Sequence, residues 1–119
     1  RCSDLKSAIS FYKNALQLAP NDNGFFITKN LIAAYYQNND LDSIERIVAP
    51  KLNVKDIDGV MLGFYSYVLL TKGKDEDAKK LFSNAKEKGL TRKRLSLFVN
   101  YKKVLDEFIE KLKPLGSLD

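Results

Sequence analysis

Few residues in this chain have types and spacings that could do chemistry. Asp56 and Asp58, followed by Gly59, look like the opening of a calcium loop, which needs oxygen ligands at alternate positions and a distal glutamate. The third ligand position and that glutamate are missing, so capping of a following helix is the better reading. Asp75, Glu76 and Asp77 form a second acidic run, placed where carboxylates favour the positive end of a helix. Cys2 is the only thiol and the chain has no histidine, so a nucleophile would lack its usual base. No glycine-rich phosphate loop and no paired-cysteine metal spacing occurs. The expectation is a non-enzymatic protein with no catalytic residue, no metal and no cofactor.

Charge is the next feature that could bind something. The 119 residues carry a net charge of +5, and the excess lies in the second half. It concentrates at Lys86, Lys88, Arg92, Lys93, Arg94, Lys102 and Lys103, opposed there only by Glu87. A basic cluster can be a footprint for nucleic acid or an acidic partner. Basic and aromatic residues are not interleaved as a stacking platform requires, so nucleic acid is the less favoured partner. No apolar run approaches the length of a bilayer span, and no signal-peptide layout opens the chain. A single cysteine excludes an internal disulfide and favours a reducing, cytoplasmic setting.

Helices are the elements that must position these residues. Apolar residues at three- and four-residue steps predict a first helix over 4–18, stopped by Pro20. A second spans 25–37 and ends in the turn residues Asn38, Asn39 and Asp40. A third starts on Asp40 or Asp42 and runs to about Val48, with Pro50 ending or kinking it. Asp56 or Asp58 caps a fourth over 59–72, which Gly73 stops. A fifth opens on Asp75 and closes at Gly89. Thr91 caps a longer sixth helix that ends before Pro114. In it Phe98, Leu105 and Leu112 recur every seven residues, as do Tyr101, Phe108 and Leu115. Such a seam must be covered; it serves either as a terminal cap or as a partner or dimer seam. No stretch alternates as a strand would.

The helices repeat. Leu31 and Tyr65, Tyr35 and Leu69, Asn39 and Gly73, Ile44 and Ala78, and Val48 and Phe82 are all separated by 34 residues. A period in this range signals stacked supersecondary units that bury a shared core. The pattern resembles the tetratricopeptide repeat (TPR) family, whose units are helix–turn–helix hairpins of this length. Ala8, Ala15 and Pro20 resemble the second helix and close of one unit, over 1–22. Leu31, Tyr35 and Ile44 mark a second unit over 25–55, and Leu62, Gly73, Ala78, Phe82 and Ala85 a third over 59–90. The resemblance implies an all-α, right-handed solenoid of helical hairpins. About five repeat helices and a C-terminal capping helix over 91–113 make one domain, expected to be part of a longer chain.

In that family the first helices of successive units line a concave groove. Carried over by position, the groove here would present Phe26, Lys29, Asn30, Ala33, Tyr36 and Gln37 from one helix. The next would add Val60, Gly63, Phe64, Tyr67 and Thr71. So much aromatic surface implies a binding site, unless the C-terminal helix or a missing first helix lies on it. One family use is a clamp for acidic chaperone tails. Asn30 stands at the clamp asparagine, but Val60 and Phe64 replace the two cations, so that ligand is not expected. The function implied is a protein-interaction scaffold or adaptor holding an apolar or mixed peptide or helix. The alternatives are a basic scaffold acting through 86–103 and self-association, as a homodimer, through an uncovered first helix.

Overall fold

The computed structural model describes residues 2–19 and 21–118, without the side chains of residues 2 and 3. The expected stop at Pro20 and the Cys2 thiol lie outside the described residues. Seven α-helices and no strand are found among those described: α1 (Cys2–Leu18), α2 (Phe26–Gln37), α3 (Leu41–Val48), α4 (Gly59–Thr71), α5 (Asp75–Glu87), α6 (Arg92–Leu95) and α7 (Lys102–Leu112). None of these helices is long and apolar enough to cross a membrane.

The starts follow from the polar residues beside them. The Asp40 carboxylate caps α3 by accepting from the N–H and hydroxyl of Ser43 (3.3 and 2.7 Å). Asp58 accepts from the N–H of Val60 at 2.6 Å, and Thr91 caps α6 through the N–H of Arg94. The start of α2 is less ordinary. Gly24 and Phe25 both take the left-handed conformation (φ 67° and 57°). Asp22, beyond this turn, reaches forward to accept from the N–H groups of Ile27 and Thr28. Donors that a cap at Phe25 could not satisfy are met in this way.

The 34-residue spacing is written in the backbone. Asn39 and Gly73 are both left-handed (φ 58° and 79°). Just beyond them, the N–H of Asp40 donates to Tyr35 O and that of Lys74 to Leu69 O, each at 2.9 Å. Both helices therefore end in the same Schellman closure. Leu31 and Tyr65, Tyr35 and Leu69, Ile44 and Ala78, and Val48 and Phe82 are buried at both members of each pair. Two successive helical hairpins, α2–α3 and α4–α5, thus share register as well as pattern.

Helix α4 is apolar on every side, which suits an element enclosed by neighbours. It packs on α2 and α3 to one side and on α5 to the other. Gly59 and Gly63 set the approach to the end of α5. A methyl added at Gly59 would lie 2.7 Å from Leu90 N and 2.9 Å from Lys88 O, and one at Gly63 would lie 2.9 Å from Leu90 Cδ2.

The sixth helix is broken, where one continuous helix over 91–113 was expected. Residues 96–101 leave the helical path between α6 and α7. Serine, valine, asparagine and tyrosine are modest helix formers there, and the break is set by burial. Leu95, Phe98 and Val99 enter the core, and α7 turns so that Leu105, Phe108, Ile109 and Leu112 enter the same core. Arg92 and Lys102 both pair with Asp106 and tie the two pieces together. The radius of gyration, 13.4 Å, matches the roughly 13.5 Å of a compact chain of this length.

Candidate functional site

An aromatic cluster begins on α2 and α4. Tyr36 and Phe64 project from them with ring centroids 5.7 Å apart, and Tyr67 lies 5.5 Å from Tyr36. Over this floor lies α7. Phe108 stacks on Phe64 (4.6 Å, 22°) and meets Tyr36 edge-on at 4.7 Å and Tyr67 at 5.8 Å. Lys111 donates to the Tyr36 hydroxyl at 3.2 Å. Burial pushes the Tyr36 phenol up despite that bond, and the bond to Tyr36 raises Lys111. The aromatic floor is therefore covered by the chain's own C-terminal helix rather than open to solvent. It is a hydrophobic cage around one phenylalanine ring, with an ammonium fixed at its edge.

The residues expected to line an open groove divide accordingly. Tyr36, Phe64 and Tyr67 form the cage, and Ala33 is buried with them. Gly63 faces Leu90 instead, because the close approach of α5 needs a residue without a side chain there. Asn30 turns back along its helix and donates to Phe26 O at 3.0 Å. Thr71 is exposed and donates to Val68 O. Gln37 sits at the far edge, with Leu5, Val104 and Tyr101 around a shallow hollow.

A second, open site lies at the start of α2. Lys29 is buried there and donates to Asp58 at 2.7 Å, with side chains 11% and 15% exposed. Its ammonium also stands 4.9 Å from the Phe98 ring centroid, a cation–π position. Val60 closes the base. Phe26 leans on Phe98 at 5.7 Å but remains 60% exposed, and Leu97 across from it is 65% exposed. Together with Thr91, Lys93 and Arg94 these residues surround a cleft of about 540 Å³. Sequence reasoning missed the contribution of Leu97 and Asp58. Leu97 falls off the seven-residue seam, and Asp58 had been assigned only its cap, which is one of its two bonds.

The seven basic residues differ in their contacts. Lys86 lies over the Phe82 ring. Arg92 and Lys102 are committed to Asp106, whose carboxyl they hold below the ordinary range, Lys102 first. Lys88 and Lys103 are exposed, and Lys93 and Arg94 stand at the cleft. The apolar seam of the C-terminal segment is mostly internal: Phe98, Leu105, Phe108 and Leu112 are buried, while Tyr101 is exposed. Helix α1 packs on the core through Ile9, Tyr12 and Leu16 and leaves Phe11 and Leu18 in solvent. Among the described residues no three acidic, cysteine or histidine side chains gather as a metal site would require. Compared with known proteins, the chain matches no family model, no curated protein and no solved structure.

Proposed function

We propose that this chain is a non-enzymatic protein-interaction module built on tetratricopeptide-like hairpins, and that its concave face is a receptor for amphipathic helices. The observation that carries the reading is the seat of Phe108 between Tyr36, Phe64 and Tyr67. Helix α7 offers one apolar face, with Leu105, Phe108, Ile109 and Leu112 turned inward and Lys103, Glu107 and Glu110 outward. That is the form in which a helical ligand meets a hydrophobic groove. In this reading α7 is a ligand carried in cis, and the mouth of the groove at Phe26 is what it leaves for a partner.

A labelled peptide covering residues 100–118 tests the receptor. In the chain with Phe108→Leu the internal helix is weakened, and the peptide is expected to bind at least about tenfold more tightly than to the parent chain. Equal, negligible binding to both would remove the reading.

The basic-scaffold alternative is weakened by the commitment of Arg92 and Lys102 to Asp106. Self-association through α1 would rest on Phe11 and Leu18, separate exposed side chains rather than a broad face.

A further inference from the structure

The open cleft has a chemistry of its own. Two large apolar side chains, Phe26 and Leu97, line it and remain largely in solvent. Its base is electrically neutral, because the Asp58 carboxylate is taken by Lys29 and by the N–H of Val60. Among the described residues Asp58 is the one carboxylate lining the cleft, and Lys93 and Arg94 at the rim face no other described carboxylate there. The Arg94 guanidinium lies over Gly89, where even an added methyl would come within 3.4 Å of its Cζ. A guanidinium is a planar fork suited to carboxylates. The left-handed Phe25 precedes Phe26 directly.

We infer that this cleft docks a short acidic segment of a partner protein, with a leucine or phenylalanine placed between Phe26 and Leu97 and its carboxylates on Lys93 and Arg94. The inference rests on the interaction-module reading and adds the partner's chemistry to it. A second copy of the chain is disfavoured as occupant, since each copy carries +5. Nucleic acid is disfavoured because, among the described residues lining the cleft, Phe26 is the one exposed ring on which a base could stack.

The test uses the full chain and a fluorescein-labelled, acetylated peptide of glutamates around one leucine and one phenylalanine. A lysine counterpart of the peptide and a short single-stranded DNA serve as competitors. The glutamate peptide is expected to bind, and the lysine peptide to bind at least about tenfold more weakly. Leu97→Asp and the pair Lys93→Glu with Arg94→Glu are each expected to weaken binding at least about tenfold. These side chains are exposed, so the variants should fold. Phe11→Ser, on the exposed face of α1, is expected to leave binding unchanged.

Unchanged affinity in the cleft variants would overturn the assignment. So would tighter binding of the DNA, or a doubling of solution mass that Leu97→Asp abolishes. Failure of the glutamate peptide to bind, while the peptide of residues 100–118 still binds the Phe108→Leu chain, would overturn the cleft alone. Failure of both peptides would remove the interaction-module reading with it.

Discussion

Phe108 stacks on Phe64 with ring centroids 4.6 Å apart and planes inclined by 22°. The contact joins α7 to α4. Both rings are fully buried, and Tyr36 closes the cluster from α2. Truncation at this point leaves a cavity that flanking helices cannot fill. Phe108→Ala is expected to destabilise the chain by about 3–5 kcal/mol, measured by urea unfolding. A loss below about 1 kcal/mol would mean that α7 is not packed on the floor.

The paired left-handed residues give a reciprocal prediction. Asn39 is exposed and held at φ 58°; its counterpart Gly73 has φ 79°. Asn39→Gly is expected to stabilise the chain by about 0.5–1 kcal/mol, since glycine adopts this conformation freely. Gly73→Ala is expected to destabilise by about 1–2 kcal/mol through backbone strain alone, because nothing lies within 4 Å of an added methyl. Shifts of the same sign in the two variants' unfolding midpoints would refute the shared closure.

The glycine at the start of α4 has the opposite cause. An added methyl at Gly59 meets backbone atoms of Lys88 and Leu90 at 2.9 and 2.7 Å. Backbone yields less readily than side chains, so Gly59→Ala should cost about 1–3 kcal/mol. Calorimetry that finds the variant at least as stable as the parent would contradict the close approach of α4 and α5.

Lys29 and Asp58 link the two hairpins at the foot of the open cleft. Lys29→Ala strips a largely buried carboxylate of its cation and is expected to destabilise by about 1–3 kcal/mol. Asp58→Asn retains an oxygen for the Val60 N–H but leaves the ammonium unpaired. In a double-mutant cycle the two effects should be strongly non-additive. Simple additivity would show that the pair is not formed in solution.

Acid should loosen the link between α6 and α7. Lys102 and Arg92 hold the Asp106 carboxyl below its ordinary value. A depressed carboxyl pKa contributes stability that is complete above the unfolded value, about 3.9, and is lost as pH falls through the folded value. Asp106→Asn should therefore flatten the fall in stability below about pH 4 and change little at neutral pH. An unaltered acid profile would show that the pair contributes nothing, as exposed pairs sometimes do.

Much of the fold was legible because its determinants are local. Asp40, Asp58 and Thr91 cap helices as their positions suggested, and Asn39, Gly73 and Gly89 end them. The hairpin register was legible because paired residues share burial. What was not legible depended on choices between surfaces. A seven-residue seam states that Leu105, Phe108 and Leu112 must be covered, but not by which face. The break after Leu95 lets two apolar groups, Phe98 with Val99 and the inner face of α7, enter one core. The cleft was hidden for the same reason: Phe26 and Leu97 lie 71 positions apart and come to line one cleft only in the folded chain.

Intermolecular aromatic nuclear Overhauser effects give the most direct measurement. The Phe108→Leu chain would be saturated with a labelled peptide of residues 100–118. Contacts are predicted from the peptide's phenylalanine to the rings of Tyr36 and Phe64. Contacts confined to the opposite side, at Tyr65 and Leu81, would show that the concave face does not receive helices.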